Sequence, residues 1–258
     1  MTKSLLILAT ASVLSAAAHA EDPAPPAPLT ANVALTSNYK YRGQDQGNNK
    51  PAIQGGFDWT MNGFYIGNWN SSIGFTNAGI EMDFYGGYKG EIAKDFGYDV
   101  GILQYYYPQK NRELFGVADF NTTELYGALT YSFATLKYSH TVSKDYFGWG
   151  SVGGISTFKG RGTGYLDLSA NYEVIKGLTL NGHVGYTRYS SELRNNVFNP
   201  SGEALPNYYD YKVGVTYDLS SVAGNGVSVA GAVVGANKKE WYGDVNKTRF
   251  IVTLSKSL

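Results

Sequence analysis

Few residues in this 258-residue chain are of types that do chemistry, and their spacing limits what they can do. Cysteine is absent and there are three histidines, which excludes disulfide frameworks and thiolate metal sites and leaves a zinc site short of ligands. Glu81 and Asp83, with Asp58, are the carboxylates that general acid–base chemistry would draw on. Such chemistry needs two carboxylates in distinct environments. Here Lys40, Arg42 and Lys89 fall on the same polar faces, which reads as a charged wall. His140 shares a face with Leu136, Tyr138 and Val142 near one end of its strand. A lipid-acting hydrolase would need a serine beside it on that face, and the adjoining strands offer none. His183 lies on a polar face. Gly160-Arg161-Gly162-Thr163-Gly164 is glycine-rich but lacks the Lys-Ser/Thr pair and the helix of a phosphate-binding loop. The expectation is a protein with no catalytic residues, no metal and no cofactor.

Composition narrows the elements that position these residues. Charged residues are 16% of the chain, against about 25% in soluble domains, while 32 glycines and 22 tyrosines are both abundant. The 21 basic and 21 acidic residues balance, which argues against a nucleic-acid partner. Residues 1–20 read as a secretory signal peptide: Lys3, an apolar stretch from Leu5 to Val13, and the small residues Ala18 and Ala20 of an A-x-A cleavage site. Residues 21–30 read as a proline-rich periplasmic linker and 31–258 as the folded domain. Beyond the signal no run of 18 apolar residues exists, so no transmembrane helix is expected. A β-barrel crosses a membrane on strands of about 9–11 residues with alternating polarity.

That alternation runs along the chain. Over residues 32–42, Val33, Leu35, Tyr39 and Tyr41 take one face, with Ser37 the exception, and Asn32, Thr36, Asn38, Lys40 and Arg42 the other; a period of two puts the sets on opposite sides of a strand. Further strands are expected over 51–61, 64–73, 80–89, 96–107, 120–131, 135–143, 164–172, 178–187, 208–219, 226–236 and 248–258. Asn62-Gly63 is a two-residue hairpin signal. Trp69 falls on the side that this hairpin register makes wet, which leaves the face of its strand open. About 12 strands result, with 10 and 14 as alternatives: an all-β, transmembrane, antiparallel up-and-down barrel. Connections near 43–50, 108–119, 144–162, 190–206 and 237–247 are long or fairly long, and the 74–78 connection is short. All five on the other side are six residues or shorter, matching long external loops and short periplasmic turns. Tyr39, Tyr41, Trp59, Phe64, Tyr209, Tyr211 and Phe250 are the expected aromatic girdle.

Several segments carry a resemblance. Asn32-Val33-Ala34-Leu35-Thr36-Ser37-Asn38-Tyr39, Tyr41-Arg42-Gly43, Pro51-Ala52-Ile53-Gln54-Gly55-Gly56, Gly63-Phe64-Tyr65-Ile66-Gly67-Asn68-Trp69, Glu81-Met82-Asp83-Phe84-Tyr85-Gly86-Gly87-Tyr88, Tyr105-Tyr106-Tyr107-Pro108 and Glu124-Leu125-Tyr126-Gly127 occur in order. With the ending Ser255-Lys256-Ser257-Leu258, they resemble the TorF-type porin family of exported proteobacterial proteins, over nearly all of the mature chain. The resemblance implies an outer-membrane pore and brings no catalytic residues. The last residue is Leu258, where outer-membrane proteins usually end in Phe.

The functional expectation is a porin passing small hydrophilic solutes or ions through a narrow lumen, because twelve strands fall between side-chain-filled small barrels and the open large ones. Lys40, Arg42, Gln54, Asp58, Glu81, Asp83, Lys89, Asp99, Glu124, Asp167, His183, Asp210 and Lys212 are the expected lumen residues. Both signs occur, so ion preference stays open. Outer-membrane lipid and, during insertion, the barrel-assembly machinery are the expected partners. The alternative is a non-conducting adhesion or scaffold barrel whose loops bind a partner through Phe115, Phe147, Trp149 or Phe198.

Overall fold

Side chains that alternate between apolar and polar on successive residues make strands with two unlike faces, and the barrel sorts those faces between outside and inside. The computed structural model describes residues 28–76, 78–108, 120–152 and 155–258. The expected signal peptide with Ala18 and Ala20, most of the expected linker, and Phe115 with most of its loop lie outside the described residues. Twelve antiparallel strands close the barrel: β1 (Leu29–Thr36), β2 (Ala52–Met61), β3 (Phe64–Ser72), β4 (Ile80–Ala93), β5 (Phe96–Tyr106), β6 (Thr122–Tyr131), β7 (Ala134–Thr141), β8 (Gly164–Ile175), β9 (Leu178–Arg188), β10 (Tyr208–Asp218), β11 (Val227–Ala236) and β12 (Arg249–Ser257). Each pairs with its neighbour in sequence. β12 closes on β1 with Leu35 opposite Leu254 and Thr36 opposite Thr253.

The outer surface is apolar: Val213 is 68%, Ile66 62% and Leu168 55% exposed. A band of this kind is an aggregation surface in water and is satisfied in lipid, and closure leaves no unpaired strand edge for the bilayer to solvate. The interior carries the polar set, with Glu124 and Asp210 each 1% exposed and Thr187 0%. β11 departs from this sorting. Its inward residues Ala230, Ala232, Val234 and Ala236 are as apolar as its outward ones, so one stretch of the interior wall is small and greasy.

Four connections at one end are two-residue turns. At Asn62 and Gly63 both φ angles are positive, 51° and 85°, as the twist of a two-residue hairpin requires. The fifth connection at that end, 219–226, is longer than the alternation predicts, and holds a short helix over Ser220–Ala223. The long connections all lie at the other end.

Two expectations need correction. β1 begins at Leu29, inside the stretch assigned to the linker, and it ends at Thr36 instead of running to Arg42. The Thr36 hydroxyl donates to the Asn38 carbonyl at 2.9 Å, and the chain turns inward there. Tyr39 and Tyr41 therefore do not stand in a lipid-facing girdle. They enter the barrel, with Tyr39 only 8% exposed. Their odd-numbered positions mimic a continued strand, although Ser37 had already broken the pattern.

Candidate functional site

The segment between β1 and β2, residues 37–51 (loop 1), builds the site by crossing the barrel near its long-loop end. Lys40–Tyr41 pairs with Gln44–Asp45 as a small hairpin. Its turn, Arg42-Gly43, has φ of 46° and 75°. The Asp45 carboxylate accepts from the backbone N–H groups of Gly47 at 2.9 Å and Asn49 at 2.9 Å, which fixes the returning chain. Gly43 is a glycine by necessity. A Cβ there would stand 2.6 Å from the Asp210 Cβ, 2.7 Å from the Gly235 carbonyl and 2.9 Å from the Ala236 Cβ, so the tip rests directly on β10 and β11.

Each side chain of loop 1 is tied to a different part of the wall. The Tyr39 hydroxyl donates to Glu81 Oε1 at 2.6 Å, and its ring meets Trp69 edge-on at 5.5 Å. Tyr107 donates to the other oxygen of Glu81. Tyr41 and Tyr105 share a hydroxyl–hydroxyl bond of 2.7 Å. Arg42 makes a forked pair with Glu124 at 3.0 and 2.7 Å. Its guanidinium sits 4.1 Å from the Tyr165 ring centre, a cation–π contact, and donates to the Tyr146 hydroxyl at 3.1 Å. The two charged side chains are 6% and 1% exposed, so this is a buried pair whose fork geometry satisfies both oxygens. Lys40 Nζ donates to the carbonyls of Gly43 at 2.8 Å and Val245 at 3.0 Å. Burial in loop 1 lowers its pKa to about 8, against an opposing pull from Asp45. Gln44 donates to Asn246 at 3.0 Å, and Arg249 stands 3.6 Å from Asp45. Loop 1 thus touches β3, β4, β5, β6, β8, β10, β11 and β12, and it spans the interior.

Two further clusters lie on the wall below loop 1. On one side tyrosines fill the space. Tyr85 donates to Asp58 at 2.6 Å, Tyr65 bonds Asp99 and Tyr126, and the ammonium groups of Lys89 and Lys137 stand over the rings of Tyr65 and Tyr126 at 5.5 and 3.9 Å. On the other side His183 is held between two carboxylates, Nδ1 to Asp167 and Nε2 to Asp210 at 2.6 Å. Tyr165 donates to Asp210 at 3.1 Å. Each ring nitrogen of His183 thus faces a carboxylate, so the imidazole is engaged on both sides within the wall. Between the clusters runs a cavity of about 470 Å³. Thr36 and Arg42 line it near loop 1, and Thr130, Asn171 and Ser255 line it toward the short-turn end.

The long loops over β7–β11 pack on one another. The helix α1 (Ser191–Asn196) starts on the Ser190 hydroxyl, which accepts from Leu193 N at 3.2 Å. It buries Leu193 with Tyr146, Tyr189, Leu205, Tyr208 and Tyr242. Phe147 and Trp149 pack against this cluster and are not free contact residues, whereas Phe198 is 54% exposed.

The residues expected in the lumen fall into these groups. Lys40, Arg42, Glu81 and Glu124 meet around loop 1, and Asp83 lines the cavity beside them. Asp58, Lys89 and Asp99 belong to the tyrosine cluster, and Asp167, His183 and Asp210 to the other, with Lys212 opposite His183 across β9 and β10. Gln54 stands apart, donating to Ser71 at 3.2 Å. Of the aromatic set, Phe64 (61% exposed), Tyr209 (54%), Tyr211 (38%) and Phe250 (67%) face outward, and Trp59 shares the outward face of β2 with Phe57 and Met61. Sequence reasoning missed Tyr65, Tyr126, Tyr165, Lys137 and Arg249. Strand parity was the available signal for three of them: Tyr126 sits two positions from Glu124, Tyr165 from Asp167 and Lys137 from Ser139. Trp69, left open, points inward against Tyr39. His140 faces outward and pairs with the Tyr138 hydroxyl at 3.1 Å. Among the described residues no cluster of three or more His, Asp or Glu is arranged to hold a metal.

Comparison with known proteins agrees with this architecture. The model of Gcw_chp, a bacterial protein family of unknown function, matches residues 20–257. No curated protein matches by sequence. Among solved structures, a KdgM porin superposes with a TM-score of 0.54 at 11% identity, covering 89% of this chain and 99% of the other. A KdgM porin in complex with disordered oligogalacturonate gives 0.52 at 9%, covering 89% and 98%. A NanC porin gives 0.52 at 8%, covering 88% and 97%. The chain has the twelve-stranded barrel fold of these porins.

Proposed function

Because the chain belongs to the Gcw_chp family of bacterial proteins of unknown function, we propose a function from its interior: a narrow outer-membrane passage for small hydrophilic solutes or ions, constricted by loop 1. The observation that carries this reading is a cavity of about 470 Å³, lined by charged and hydroxyl side chains together with small apolar ones, inside a barrel whose outer face is apolar. Twelve strands leave more room than the eight of a filled barrel and less than the sixteen of an open porin, and here tyrosines and loop 1 take up part of that room. The signal peptide fits export and the amphipathic β12 fits recognition by the barrel-assembly machinery. The pore implied by the TorF-type resemblance is the same reading. The solute seen with a KdgM porin is acidic, but the interior of this chain carries carboxylates as well as cations.

Swelling of liposomes containing the folded protein tests the passage. Influx of pentoses and small amino acids, falling off steeply for disaccharides, is the expected result; no swelling with any solute overturns it. The extent of loop 1 across the mouth favours a second reading, a non-conducting barrel that presents its external loops to a partner.

A further inference from the structure

Lys212 is the one group of the His183 cluster whose charge has no use in it. It projects from the middle of β10 and lines the cavity. Its direct cross-strand neighbours are His183 on β9 and Val234 on β11. The nearby carboxylates, Asp167 and Asp210, are both turned to His183. Among the described residues no carboxylate comes within ion-pair distance of Lys212 and no hydrogen bond is made by its ammonium. Beyond it the wall changes character: Val234 and Ala232 on β11 and Ile251 on β12 face the same cavity, with Ile251 directly opposite Ala232. A water-filled passage has no need of that apolar track. A single cation beside a run of small aliphatic side chains is how a pocket recognises a ligand with one anionic head and a short apolar body.

We propose that this wall is a binding subsite for small apolar monocarboxylates, with the carboxylate on Lys212 and the hydrocarbon part along Val234, Ala232 and Ile251. Polyhydroxylated acids fit this stretch poorly, because hydroxyls laid along Val234, Ala232 and Ile251 would be set against carbon without partners. The assignment rests on the porin reading and names a solute class for it.

Calorimetric titration of the detergent-folded barrel with hexanoate, hexylammonium and gluconate tests it. Saturable hexanoate binding is expected, weakened about tenfold or more in Lys212→Met and retained in Lys212→Arg. Val234→Asn should weaken hexanoate and leave acetate, which has no hydrocarbon tail, unaffected. A heat-modifiable band on electrophoresis establishes that each variant is folded. Equal hexanoate binding by wild type and Lys212→Met overturns the proposal, as does hexylammonium or gluconate binding as tightly as hexanoate. Because binding is read without a membrane current, the two readings fail separately. A barrel that binds hexanoate but carries no current removes the passage, and one that conducts without binding hexanoate removes only this subsite.

Discussion

Replacing Arg42 by Met releases loop 1 if the loop is held as described. The guanidinium is bound by both oxygens of Glu124, with the two side chains 6% and 1% exposed. Removing one partner of such a pair strands the other charge in a poorly solvated place, at a cost of about 3–5 kcal/mol. The strands are not involved, since their ladders hold without loop 1. The penalty therefore falls on the inserted state of the loop and shifts its balance toward withdrawal by about two orders of magnitude or more. The contacts of Tyr39 with Glu81 and of Gln44 with Asn246 oppose withdrawal, so Arg42→Met should give a mixture of wild-type and enlarged conductance levels. Arg42→Met combined with Glu124→Met removes both charges and replaces them with apolar side chains, a change that is often nearly neutral. The double variant should return to the wild-type level. Single-channel recording reads all three proteins. Identical conductance and open fraction in wild type and Arg42→Met would refute the reasoning, and so would a double variant more open than the single.

Other consequences follow from the same geometry. Gly43→Val places a Cβ against β10 and β11 at a positive φ of 75°; with a strain of about 1–3 kcal/mol or more, it should raise conductance as Arg42→Met does, and an unchanged channel would contradict the inserted tip. Lys40 has its pKa lowered to about 8, while the unfolded chain keeps the ordinary lysine value, so its charge opposes the folded loop below pH 8. Its contribution to stability rises between about pH 8 and 10.5. Over pH 7 to 9 loop 1 loses one positive charge, so the reversal potential in asymmetric KCl should move toward cation preference, and Lys40→Gln should abolish that movement. Val213 stands mid-strand on the outer face at 68% exposure. Val213→Lys should cost about 2–4 kcal/mol in a bilayer, read by denaturant unfolding from liposomes; a change below about 0.5 kcal/mol, as at a water-exposed site, would argue against a lipid-facing surface there.

The sequence reveals the strands because parity is local: one residue in two is apolar, and turns such as Asn62-Gly63 announce themselves. It also places Asp167, His183 and Asp210 on polar faces. It does not say which faces meet. Arg42 and Glu124 are 82 positions apart, and their pairing depends on how far loop 1 leans across the barrel. The same gap misplaced Tyr39 and Tyr41. A tyrosine satisfies the alternating pattern equally well at a membrane interface and inside a barrel where its hydroxyl finds Glu81 or Tyr105. The filling role of Tyr65 and Tyr126 was hidden for the same reason, because an aromatic ring reads as an outward, apolar residue until a carboxylate is seen at its tip.

The passage is read most directly as single-channel conductance of the refolded protein, without residues 1–20, in a planar bilayer with asymmetric KCl. Small discrete steps with a reproducible reversal potential, altered by charge reversal at Arg42 or Glu124, are the expected result. A folded, heat-modifiable barrel that stays silent, in wild type and in Arg42→Met alike, would contradict it and leave the external loops as the working surface.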